Sequence, residues 1–91
     1  MDKVYFQNDN MAAGGMMYCQ PKGLRIPADL GVAGWGDQPI ASILQGRLTT
    51  MQVAPLQIGQ IAAAKLLATL AEGPVEAVTD TGFRLVPGNT L

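Results

Sequence analysis

Ninety-one residues with a net charge of −1, six Lys or Arg and no histidine leave room for one thin-cored domain and little scope for duplex DNA binding, which needs several phosphates neutralised at once. The missing histidine removes the commonest general base and metal ligand, and a lone cysteine, Cys19, excludes an internal disulfide. Hydrophobic residues at 48% and charged residues at 14% describe a globular chain, and no apolar run approaches the roughly 20 residues that span a bilayer.

In chain order, Val4-Tyr5-Phe6-Gln7 is β-branched and aromatic and predicts a first strand, closed by the polar Asn8-Asp9-Asn10. A strand so close to Met1 leaves no room for a signal peptide, so a cytoplasmic location is expected. Asn and Asp are favoured N-caps because their side-chain oxygens accept the orphan N–H groups of a first helical turn. A helix over 10–20 follows, stopped by Pro21, with Gly23 suited to a left-handed C-cap. Leu30 to Trp35 predicts a second strand, apolar enough to be buried on both faces. Pro39 to Leu44 predicts one helical turn with proline at its first position.

Arg47 to Val53 is β-favouring, and Pro55 to Ala71 is the strongest helix signal, ended by Gly73-Pro74. At about 100° per residue, Leu56, Ile58, Ala62, Leu66, Leu67 and Leu70 fall on one half of that helix, with Ile61 as the exception. Gly82 to Val86 alternates as a last strand. This order predicts an α/β fold with parallel pairing and right-handed crossovers, but the sheet is incomplete: so few elements cannot cover both of its faces.

Candidate chemistry lies at two polar strand ends. Ligands of open α/β sheets bind beyond the carboxyl ends of the strands, and parallel strands place Asn8-Asp9-Asn10 and Trp35-Gly36-Asp37-Gln38 on one edge. Asn8, Asp9, Trp35 and Asp37 together suit a polyhydroxylated ligand, through hydroxyl hydrogen bonds and an indole against the apolar face of a sugar. Ordinary capping accounts for the same polar residues, and the residues alone leave both readings open. The glycines of Gly31 to Gly36 lack the order of a dinucleotide loop and lie within a strand. Cys19, without a histidine to activate it, reads as a packed thiol. No catalytic group, metal or cofactor is expected.

The helix after Asn10 has no polar face: Met11, Ala12, Ala13, Met16, Met17, Tyr18 and Cys19 surround it. It therefore needs cover on two sides, one supplied by its own sheet and the other by a partner subunit or by the rest of a larger protein. Gly14-Gly15 would permit close backbone approach.

The ordered run "VYFQNDNMAAGG", "KGLRIPADLGVAGWGD", "RLTT" and "GFRLVPGNT" resembles the C-terminal third of lactose-repressor-type (LacI/GalR) transcription regulators, and its ending is most similar to the gluconate-responsive branch. The resemblance implies part of a type I periplasmic-binding-protein-like fold, with 1–47 in the C-terminal subdomain, 48–76 crossing into the N-terminal subdomain and 77–91 returning. It implies a sugar or sugar-acid effector held by Asn8 with Asp9 supporting the loop, and Trp35 and Asp37 nearby, and bound by this chain alone with less than normal affinity because one wall of the cleft is absent. It implies a homodimer through Met11, Ala12, Gly15, Met16, Pro39, Ile40 and Ile43, and operator DNA bound only through a helix-turn-helix headpiece outside this sequence. Gly36 stands where the family usually places an effector-binding aspartate, a change that suits an acidic ligand. A periplasmic sugar-binding protein and a small α/β enzyme are the alternatives. The chain by itself is expected to dimerise, aggregate or stay partly molten.

Overall fold

The computed structural model describes residues 2–44 and 46–91. The element order is β1 (Asp2–Tyr5), α1 (Asp9–Cys19), a 3-10 turn (Gln20–Lys22), β2 (Leu30–Ala33), α2 (Ile40–Ile43), β3 (Thr50–Gln52), α3 (Pro55–Leu70) and β4 (Arg84–Val86). The chain divides into two compact units, one made of the residues up to Gln52 with Arg84–Leu91, the other of Val53–Phe83. It leaves the first unit at Gln52 and re-enters at Arg84, several residues beyond the boundaries expected at 47/48 and 76/77.

In the first unit β1 and β2 pair in parallel from Asp2↔Leu30 to Tyr5↔Ala33. A parallel bridge joins Ala33 to Thr49, and the N–H groups of Gly34 and Gly36 donate to the carbonyls of Thr49 and Met51. β3 therefore runs alongside the end of β2. The α/β class and the parallel pairing agree with the sequence reading. The final pair differs: β4 lies antiparallel to β3, with Gln52 opposite Arg84, because the chain returns from the second unit beside the point where it left.

β1 begins and ends two residues before the predicted strand, because Gln7 and Asn8 are taken up in the turn into α1. Asn8 is extended (φ −151°), and its side chain accepts the N–H of Met11 at 2.9 Å, a side-chain N-cap. Gly23 ends the following 3-10 turn in the left-handed region at φ +82°, as its sequence position suggested. Pro39 stands one position earlier than expected, capping α2 rather than opening it.

The core of the first unit gathers Ala12 and Met16 of α1, Val32 of β2, Ala41 of α2 and Leu48, with Phe6, Ile26, Leu30 and Leu44 packed against them. This overturns part of the expected dimer face. Ala12 and Met16 are interior residues, and a Cβ on Gly15 would collide with the Phe6 ring. A helix apolar all round carries no rotational signal of its own. The buried Asp9 at its first turn sets the phase, turning Ala12, Ala13 and Met16 inward. Met11, Met17 and Tyr18 are left outside.

In the second unit α3 has no buried residue. Its partly covered positions are Ile61, Lys65 and Ala68, which share a shallow hollow with Pro74 and Val75. Leu56, Leu66, Leu67 and Leu70 are exposed and fall on the opposite side of the helix at about 100° per residue. The face that the periodicity marks as apolar is left exposed. Its neighbours within this unit cover the other one.

Candidate functional site

The carboxyl ends of β1 and β2 share one edge: the N–H of Asp9 donates to the carbonyl of Trp35 at 3.1 Å, and that of Phe6 to Ala33 at 2.8 Å. Parallel pairing brings the two polar tips together although they are far apart in sequence. Asn8 and Trp35, both partly buried, are therefore neighbours on this rim.

Asp9 is 0% exposed. One carboxylate oxygen accepts the N–H of Gln38 at 2.7 Å and the other the Thr50 hydroxyl at 2.6 Å. Its place in the first turn of α1 adds the favourable end of the helix dipole. Among the expected ligand-binding residues Asp9 is thus corrected to an internal brace, tying α1, the 36–38 turn and β3 into one piece. Gly34 is required beside it, because a Cβ there would run into the Asp9 side chain and come within 3.1 Å of Leu48.

The turn after β2 carries two successive positive φ values, Gly36 at +118° and Asp37 at +50°. The first strongly favours glycine, which gives the missing aspartate at position 36 a backbone cause. The second is tolerated by Asp better than by most side chains. The Asp37 N–H donates to Thr50 Oγ1 at 3.3 Å, and one carboxylate oxygen accepts Gln52 Nε2–H at 2.9 Å. The other faces an Arg47 guanidinium nitrogen at 3.5 Å. Asp37 lies on the rim as expected, engaged sideways with β3.

Beyond it, Gln52 Oε1 accepts two donors from Arg84, Nη2–H at 2.6 Å and Nε–H at 3.2 Å. The two-sided pairing fixes the orientation of the Gln52 amide, since a flip would set oxygen against carboxylate and N–H against guanidinium. Thr50, Gln52, Arg47 and Arg84 were absent from the sequence-based site. One signal was available: Thr50 and Gln52 alternate on one face of a strand, and the register places Arg84 opposite Gln52.

The expected dimer residues divide. Met11 is 50% exposed and Ile43 77%; Pro39 is exposed and Ile40 partly so. Met11 lies on α1 and the other three on or beside α2, two helices in contact. Among the described residues no group of acidic, cysteine or histidine side chains could hold a metal ion, and no helix is long and apolar enough to cross a membrane.

The chain is similar to known proteins. A family model described as a periplasmic binding protein-like domain matches residues 3–91. The HTH-type transcriptional regulator GntR of Escherichia coli K12 is 33% identical over 92 residues, covering 100% of this chain and 28% of that protein. The lactose operon repressor of Rhizobium radiobacter is 39% identical over 61 residues, 67% of this chain and 54% of that protein. The crystal structure of the lac repressor dimer bound to operator and the anti-inducer ONPF matches with a TM-score of 0.85 at 30% identity, covering 97% of this chain and 31% of that one. The chain thus spans about 28% of the length of its E. coli regulator relative. These relatives are transcription regulators, not enzymes.

Proposed function

This chain belongs to the periplasmic binding protein-like domain family, in the form carried by LacI/GalR transcription regulators, and on that premise we propose that it forms part of an effector-sensing and dimerising domain of a repressor. The effector is a sugar or sugar acid. The observation that carries this reading is the shared rim, with the Asp9 N–H on the Trp35 carbonyl at 3.1 Å and a buried carboxylate bracing the loops beneath it. Asn8 and Trp35 take the ligand, the amide giving and receiving hydroxyl hydrogen bonds and the indole covering an apolar sugar face. Asp37 holds the far side of the rim.

In this reading the first unit belongs to the C-terminal subdomain and α3 to the N-terminal one. Met11, Pro39, Ile40 and Ile43 face a second copy. Operator binding belongs to a separate headpiece, since this chain carries no basic cluster. A cytoplasmic location goes with that role.

Trp35 is the single tryptophan of the chain, so tryptophan fluorescence, excited selectively over the two tyrosines, reports on the rim. Titration with a panel of hexoses, polyols and aldonic acids should give a saturable change with at least one class. A flat response throughout, with the protein folded by circular dichroism, would sink the sugar reading.

A further inference from the structure

The rim carries a cation that no carboxylate neutralises. Of the charged groups around it, Asp9 is internal and satisfied by an N–H and a hydroxyl, and Asp37 is matched by Arg47. Arg84 is exposed, and its partner is the amide oxygen of Gln52 rather than an acid. Among the described residues it takes part in no ion pair.

Gln52 receives both the Nε–H and one Nη2–H of Arg84, which clamps one edge of the guanidinium plane. A guanidinium has five N–H donors in a rigid fork. Holding one edge leaves the Nη1/Nη2 edge set for a bidentate acceptor, the geometry that suits a carboxylate. Gln52 is itself oriented by Asp37 through the 2.9 Å hydrogen bond to Nε2. The chain Asp37–Gln52–Arg84 therefore leads from the turn beside Trp35 to an aligned, uncompensated cation on the same unit.

We propose that Arg84 binds the carboxylate of an anionic effector, a sugar acid, with Gln52 and Asp37 as its positioning residues. This rests on the sugar-binding reading above and assigns the residue that distinguishes the acid from the neutral sugar. The charge-assisted bond strengthens binding of the acid without reference to its hydroxyl pattern, which remains the task of Asn8 and Trp35. Arg47 is excluded from the role because Asp37 already occupies it.

The test is an NMR titration of the whole chain at millimolar ligand, following the Trp35 indole N–H and the Arg84 Nε–H. The probes are sodium gluconate and its neutral counterpart glucitol. Gluconate should shift both signals, and bind about tenfold more tightly than glucitol, the discrimination of one charge-assisted contact. Arg84→Gln should abolish the preference and leave glucitol binding at Trp35 unchanged, while Arg84→Lys retains part of it. Gln52→Leu should weaken gluconate alone. Raising NaCl should weaken gluconate and spare glucitol, a response that a purely structural role for Arg84 would not produce. Equal binding of both ligands by the wild-type chain, or a gluconate preference that survives Arg84→Gln, overturns the assignment while the sugar reading stands. Failure of both ligands to move Trp35 overturns the two together.

Discussion

Thr50 and Asp9, 41 positions apart in the chain, meet through a 2.6 Å hydrogen bond in the interior of the first unit. The hydroxyl is one of two donors that keep a fully buried carboxylate satisfied. Thr50→Val keeps the shape and removes the donor, and should cost about 1.5–3 kcal/mol, the range for a hydrogen bond to a charged group. Thr50→Ser should retain most of the stability. Urea unfolding of the three proteins measures the difference.

The glycines of the first unit should respond in opposite directions. Gly34→Ala drives a methyl group into Asp9 and Leu48 and should destabilise by about 1–3 kcal/mol, as overpacking does. Gly14 has no neighbouring atom within 4 Å of its would-be Cβ and sits inside α1, so Gly14→Ala should stabilise the monomer by about 0.5–1 kcal/mol. Thermal unfolding at low protein concentration resolves both.

Self-association should depend on the outward side of α1 and α2. Met11, Tyr18 and Ile43 are 50%, 67% and 77% exposed, an apolar surface that a second copy would cover. Met11→Asp and Ile43→Glu should each lower the association constant by at least about tenfold, read by sedimentation velocity, without loss of helical signal. Ala12→Asp, by contrast, strikes the core and should unfold the unit.

Capping and ligand contact at Asn8 separate by substitution. Asn8→Asp keeps an oxygen for the Met11 N–H and removes the amide donor. It should leave stability nearly unchanged while weakening the effector response of Trp35 fluorescence. Asn8→Ala loses both and should cost about 1 kcal/mol in addition. A stability loss confined to Asn8→Ala, with an effector response unaltered in both variants, would make Asn8 a cap alone.

The Arg25–Asp29 clasp sets an acid-side signature. Hydrogen bonds from the Arg25 side chain and backbone lower the Asp29 pKa from 3.8 to about 2. A depressed carboxyl stabilises the fold above its unfolded pKa, and that contribution falls away as pH drops from about 3.8 to about 2. The Asp29 carboxyl carbon shift should therefore titrate near pH 2, and in Arg25→Gln it should return towards the ordinary carboxyl range.

What the sequence revealed, and what it hid, divides along one physical line. Local chemistry was legible. The Asn8 cap, the left-handed Gly23 and the extent of α3 each follow from residues within one turn of each other. The shared rim was legible too, because parallel pairing and strand direction suffice to bring Asn8 and Trp35 together. The orientation of α1 was hidden, since a helix apolar on every side has no face to choose until Asp9 is buried. The Gln52–Arg84 link was hidden for a different reason: it needs the register of two strands separated by an entire unit. Asp9 was the hardest to read. An aspartate at a helix start is ordinarily exposed, and its burial depends on a threonine of β3 and a glycine just after β2.

Because Gln52 and Arg84 face each other across an antiparallel ladder, the segment between them leaves and re-enters through a single doorway. Topologically Val53–Phe83 is an insertion into one edge of a smaller fold, so lengthening, shortening or exchanging it need not disturb the register of the strands that admit it. An Asn-Gly reverse turn would close the same ladder. The body of the first unit is separable from its guest at one seam, which makes that seam a natural joint for recombining this half with foreign segments.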